Sequence, residues 1–97
     1  MALSLKYISV DVSQLEPPEP MSVILAHLAK LEHQMCLLIK HRRQPFPLYE
    51  KLNDAGFSYH CELISQNEIE LYIFHQSVQG KFDLDMETKI KNKDSQL

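Results

Sequence analysis

Two proline-rich segments carry the residues whose types and spacing could do chemistry. Glu16 and Glu19 lie in EPPEP (16–20), and His41, Arg42 and Arg43 open HRRQPFP (41–47). Adjacent arginines are planar donors suited to a carboxylate, sulfate or phosphate, the more so where a helix N-terminus adds backbone N–H groups. Tyr49, just inside the helix expected after the second segment, completes a candidate ligand- or partner-binding set of Glu16, Glu19, His41, Arg42, Arg43 and Tyr49. The competing account of the same residues is a surface ion-pair network worth about 1 kcal/mol or less per pair. Carboxylates beside arginines suit salt bridging better than general acid work, and His41 next to them has its proton affinity lowered.

Little else is arranged for catalysis. Ser13 and Ser22 have no evident histidine partner, and with only Gly56 and Gly80 no glycine-rich phosphate loop can be built. The histidines do not converge on a metal. His60 and Cys61 are adjacent and point to opposite faces of a strand, while His27 and His33 fall at the polar side or end of the first helix, away from His41 and His75. Cys36 and Cys61 each sit in an apolar run, as buried, reduced thiols do. No enzyme, cofactor or metal site is expected.

One domain must position these residues, because 97 residues leave no room for a second core. An apolar fraction of 44% and a charged fraction of 24% fit a globular chain, and the formal charge of -3 excludes a general affinity for polyanions. The N-terminus lacks the features of a secretory signal, and the longest apolar run, Met35 to Ile39, is far short of a membrane span. A soluble, cytoplasmic protein is expected.

Leu5–Val12 roughly alternates and is rich in β-branched and aromatic residues, the pattern of a first strand. The prolines of EPPEP place a helix start near Pro18 or Pro20, followed by an apolar stripe of Met21, Ile24, Leu25, Leu28 and Leu31. Met35–Lys40 reads as a central strand buried on both sides. Pro45 and Pro47 prime a second helix through Ala55, with Leu48, Leu52 and Ala55 on one face and Gly56 at its left-handed cap. Phe57–Ile64 and Ile69–His75 alternate as two further strands joined by a turn at Ser65–Glu68.

The order β-α-β-α-β-β predicts an α+β two-layer sandwich, a four-stranded mixed sheet with two helices on one face. The compact domain is expected to span 1–75. Residues 76–97 then form a polar tail, flexible or adding an edge strand through the alternation of Phe82, Leu84 and Met86. Parallel first and second strands bring the two proline-rich loops together at the strands' carboxyl ends, where open α/β sheets bind ligands. The uncovered sheet face is expected to expose His60, Tyr72 and Phe74 as a partner surface, covered by Phe82 and Leu84 in cis or in a dimer. Glu62 and Glu70 nearby disfavour RNA.

The runs DVSQLEPPEPM (11–21) and IKHRRQPFPLYEKLNDAGF (39–57) together strongly resemble the small bacterial proteins called domain of unknown function 2249 (DUF2249), a branch of the TusA-like (SirA-like) superfamily. The resemblance spans about Lys6 to His75. It implies the strand order 1-2-4-3 and a likeness to the C-terminal domain of translation initiation factor 3. It also implies a partner such as a hemerythrin-like or other redox protein, since such domains occur alone or joined to hemerythrin-like domains, commonly in bacteria that respire nitrogen oxides. Sulfur-relay TusA proteins open their first helix with Cys-Pro-x-Pro, whose cysteine carries a persulfide. The matching stretch here is Pro17-Pro18-Glu19-Pro20, so Pro17 stands where the nucleophile would be. The implied order also separates Cys36 from Cys61 by a whole strand, about 10 Å, too far for a disulfide. The expectation is a non-catalytic cytoplasmic accessory module, a monomer or weak dimer, that binds a partner protein or a small anion. A TusA-type sulfur or redox carrier using Cys36 or Cys61 is the alternative.

Overall fold

The computed structural model describes residues 3–94, with side chains through Lys89. Strand β1 (Lys6–Asp11) leads to helix α1 (Glu19–Leu28), strand β2 (Met35–His41), helix α2 (Phe46–Asp54), and strands β3 (Phe57–Ser65) and β4 (Glu68–His75). A single 3-10 turn, Gln76–Val78, then opens helix α3 (Gln79–Asp94). The sheet order is β1-β2-β4-β3, with β1 parallel to β2 and the other pairings antiparallel. This is the expected four-stranded mixed sheet.

Strand alternation divides the side chains between two cores. Ile8 and Val10 of β1, Leu37 and Ile39 of β2, and Ile69, Leu71 and Ile73 of β4 face α1 and α2, where Ile24, Leu28, Leu48 and Leu52 meet them. Leu25 is 40% exposed and Leu31 lies beyond the end of α1, so the buried stripe of that helix is narrower than its spacing suggests. Helix α2 stops where Gly56 takes a φ of +87°, a left-handed conformation that a Cβ would strain.

The second core corrects the sequence reading. The segment after His75, expected as a flexible tail or an added edge strand, folds through residue 94 as the turn and α3; residues 95–97 lie outside the described residues. Phe82, Asp85, Met86 and Lys89 recur at helical spacing, and a helix buries Phe82 where a strand would have split the set. Leu84, which alternation would have placed beside Phe82, is 54% exposed. The face expected to be open is therefore covered in cis: Tyr72 and Phe74 are buried, with the Phe82 ring stacked on Phe74 at 4.2 Å. Cys36 lies fully buried in this layer, whereas Cys61 faces the α1/α2 layer.

Asp85 fastens the helix. Its carboxylate accepts hydrogen bonds from Ser4 N (2.6 Å), Leu5 N (2.9 Å) and Tyr7 Oη (2.9 Å), tying α3 to the start of β1. Burial alone would raise the proton affinity of this acid, but these donors outweigh it and hold the carboxyl below its ordinary range. At the far end, Lys89 Nζ donates to Tyr72 Oη at 2.8 Å.

Candidate functional site

The parallel pairing of β1 with β2 delivers both proline-rich loops to one edge of the sheet, as their order required. In the first loop, Asp11 accepts from Ser13 N (2.9 Å) and Ser13 Oγ (2.6 Å), which fixes the turn out of β1 and holds the Asp11 carboxyl below its usual range. Leu15, Glu16, Pro17 and Pro20 then form one wall of a cleft of about 310 Å³, and His41, Arg42 and Arg43 form the other. Four of the six predicted residues, Glu16, His41, Arg42 and Arg43, are thus brought together.

Charge is distributed unevenly within the cleft. Arg42 reaches across it, with Nη2 3.8 Å from a Glu16 carboxylate oxygen and donating to Leu15 O at 3.3 Å. Both partners of the ion pair are exposed, so it is worth at most about 1 kcal/mol. Arg43 is exposed and makes no ion pair or side-chain hydrogen bond among the described residues. It is the cleft's unused planar donor.

His41 organises this loop from within. Its Nδ1 accepts from Arg42 N (2.8 Å) and from Arg43 N (3.3 Å), so a neutral ring carries its proton on Nε2. Partial burial, and secondarily the Arg42 charge, lower its proton affinity, in the direction its neighbours predicted.

Two features depart from the expected site. The N-terminus of α2 offers no open backbone donor among its first positions, because Pro45 and Pro47 lack an N–H while Phe46 N donates to Gln44 O (3.0 Å) and Leu48 N to Pro45 O (2.8 Å). Together with the two amides satisfied by His41, this removes the backbone cradle that anion capture at a helix end requires. Tyr49 and Glu19 also stand apart from the cleft. Tyr49 stacks on Tyr59 at 3.9 Å and donates to Gln44 Oε1 at 3.1 Å, lining a different depression with Asn53, Phe57 and Ser58. Glu19 sits exposed in the first turn of α1, where it complements the helix dipole.

The aromatic patch also changes. His60 remains exposed at the sheet edge, 3.6 Å from Glu62, while Tyr72 and Phe74 form part of the second core because α3 covers them. Sequence reasoning missed Asp85 and the Tyr49–Tyr59 stack. The first joins α3 to the start of β1 across some 80 positions, and the second depends on a crossing between α2 and β3, so local spacing encodes neither.

The thiols are not activated. Burial pushes Cys36 up to about 12 and raises Cys61 as well. Among the described residues no group of three or more His, Cys, Asp or Glu is placed to hold a metal ion, and no helix is long and apolar enough to cross a membrane.

Neither a search of curated proteins nor one of solved structures returned a match. A family model does match, over residues 9–75, a span that contains both proline-rich loops and all four strands from Ser9 onward. The chain belongs to that family, described as uncharacterized conserved protein DUF2249.

Proposed function

We propose that this protein is a non-catalytic accessory module that docks a partner protein by receiving an acidic side chain in the cleft between its two proline-rich loops. The observation that carries this reading is Arg43, an exposed guanidinium without an ion-pair partner among the described residues, at a cleft where the amides of Leu15, Arg42 and Arg43 are already bonded within the chain. A free phosphate or sulfate is best held by converging backbone N–H groups. A carboxylate on a protein surface needs only the planar fork of one arginine, with the apolar wall of Leu15, Pro17 and Pro20 to receive its side chain's methylenes.

Kinship with TusA-like proteins, bacterial origin, cytoplasmic residence and a hemerythrin-like or other redox partner in nitrogen-oxide metabolism belong to the same proposal, on the strength of the loop signatures. Pro17 in place of a nucleophile, together with the raised proton affinities of Cys36 and Cys61, favours docking over sulfur transfer. The test is the anisotropy of a labelled oligoglutamate peptide titrated with the full chain. Binding should weaken with salt and fall about two- to fivefold in Arg43→Gln, the size of one exposed ion-pair contact. No binding at millimolar protein, or binding indifferent to Arg43→Gln, would overturn the assignment. Rapid labelling of either native thiol would favour the carrier instead.

A further inference from the structure

Among the described residues strand β3 is an edge of the sheet and pairs with β4 alone. Its free edge can be read from one hydrogen bond: Gln76 N donates to Gly56 O at 2.9 Å, which continues the β3–β4 register and makes Gly56 and Gln76 a bonded pair. Bonded pairs recur every second residue in an antiparallel ladder, so Ser58, His60 and Glu62 direct their backbone groups at β4. Phe57, Tyr59, Cys61 and Leu63 direct theirs outward.

This edge carries few of the devices that keep edges single. Across nine residues β3 has no Lys, Arg, Pro or Gly, and its single bulge falls after Leu63. Tyr59 is 42% exposed and Leu63 71% exposed, both on the side of α1 and α2, while His60 and Glu62 lie on the opposite side. The strand is self-complementary about Cys61. A two-fold axis there sets Tyr59 opposite Leu63 of a second copy and His60 opposite Glu62 of that copy, with outward-directed backbone groups meeting outward-directed ones. A two-fold axis at His60 or at Glu62 would oppose two imidazoles or two carboxylates, whereas the axis at Cys61 opposes two thiols.

We propose that β3 pairs antiparallel with β3 of a second copy of this chain, centred on Cys61, and so joins two four-stranded sheets into one. The proposal is independent of the docking cleft, which is lined by the loops that follow β1 and β2 and by no residue of β3.

Sedimentation equilibrium of the full chain tests it. A concentration-dependent dimer is expected. Leu63→Lys, which leaves a side chain already largely solvated, should raise the dimer dissociation constant at least about tenfold while the circular dichroism stays unchanged. Glu62→His should weaken the dimer, and the double variant His60→Glu/Glu62→His should restore it, because the exchange keeps an imidazole donor opposite a carboxylate acceptor across the axis. A chain that stays monomeric at millimolar concentration, or a dimer indifferent to Leu63→Lys, would overturn the proposal. So would a dimer weakened by Leu63→Lys but not restored by the double exchange. A monomeric result would leave the edge to a strand of another protein.

Discussion

At the residue scale, His41 and Asp85 show how single polar groups set the geometry around them. His41 Nδ1 caps two successive backbone amides, a role that requires the neutral ring. Its proton affinity is lower in the folded chain than in the unfolded one, so the unfolded chain binds the proton first as pH falls. The resulting stabilisation is fully present above about pH 6.5 and is lost as pH drops below that value towards the folded pKa. His41→Asn keeps an acceptor near the same amides without the titration. The stability difference between wild type and this variant, followed by thermal melts from about pH 7.5 to 5, should therefore move against wild type on acidification.

Asp85 works in the opposite direction on the pH axis. Its depressed folded value gives stability that is fully present above about pH 4 and is lost as pH falls below that value towards and through the folded pKa. Asp85→Asn substitutes a group that cannot accept from all of Ser4 N, Leu5 N and Tyr7 Oη at once, and should cost about 1–3 kcal/mol in urea denaturation at neutral pH. These carboxylate contacts join residues some 80 positions apart in sequence, with separations of 81 and 80 for Ser4 and Leu5, which is why no local pattern announced them.

At the scale of elements, the strands and the first two helices were legible because their signals are local. Period-two alternation in β3 and β4, prolines at the starts of α1 and α2, and Gly56 at the end of α2 each act over a few residues. Helix α3 was harder to read, because KFDLDME satisfies both a strand alternation and a helical repeat, and the choice is made by the Phe74 and Tyr72 rings that wait on the sheet. Phe82→Ala should remove most of that choice. A cost of about 3–5 kcal/mol is expected if α3 and the sheet unfold together. Loss of helical ellipticity with the β-sheet amide protection retained would show that the helix detaches alone. The same lesson holds for the cleft. Both loops and their charges were visible in the sequence, but the prolines that start α2 also delete the amides that an anion would have used.

At the scale of the whole molecule, the family match ends at His75, and the layer that buries the back of the sheet begins just after it. Residues 76–97 carry four lysines and four acidic residues, so their removal leaves the net charge unchanged and exposes Tyr72, Phe74 and Cys36. A chain ending at residue 75 should accordingly bind the dye ANS and self-associate, through apolar exposure rather than altered charge. An equally stable, dye-silent form would show that α3 contributes nothing to the fold.

The molecule is an acidic domain with a basic cleft between the loops that follow β1 and β2. Docking there is tested most directly by following the backbone amide resonances of the full chain by NMR while an oligoglutamate peptide is added. Shifts are expected only around Leu15, Glu16 and His41 to Arg43, with a midpoint moved about two- to fivefold to higher peptide in Arg43→Gln. Shifts centred on other surfaces, or none at millimolar peptide, would contradict it.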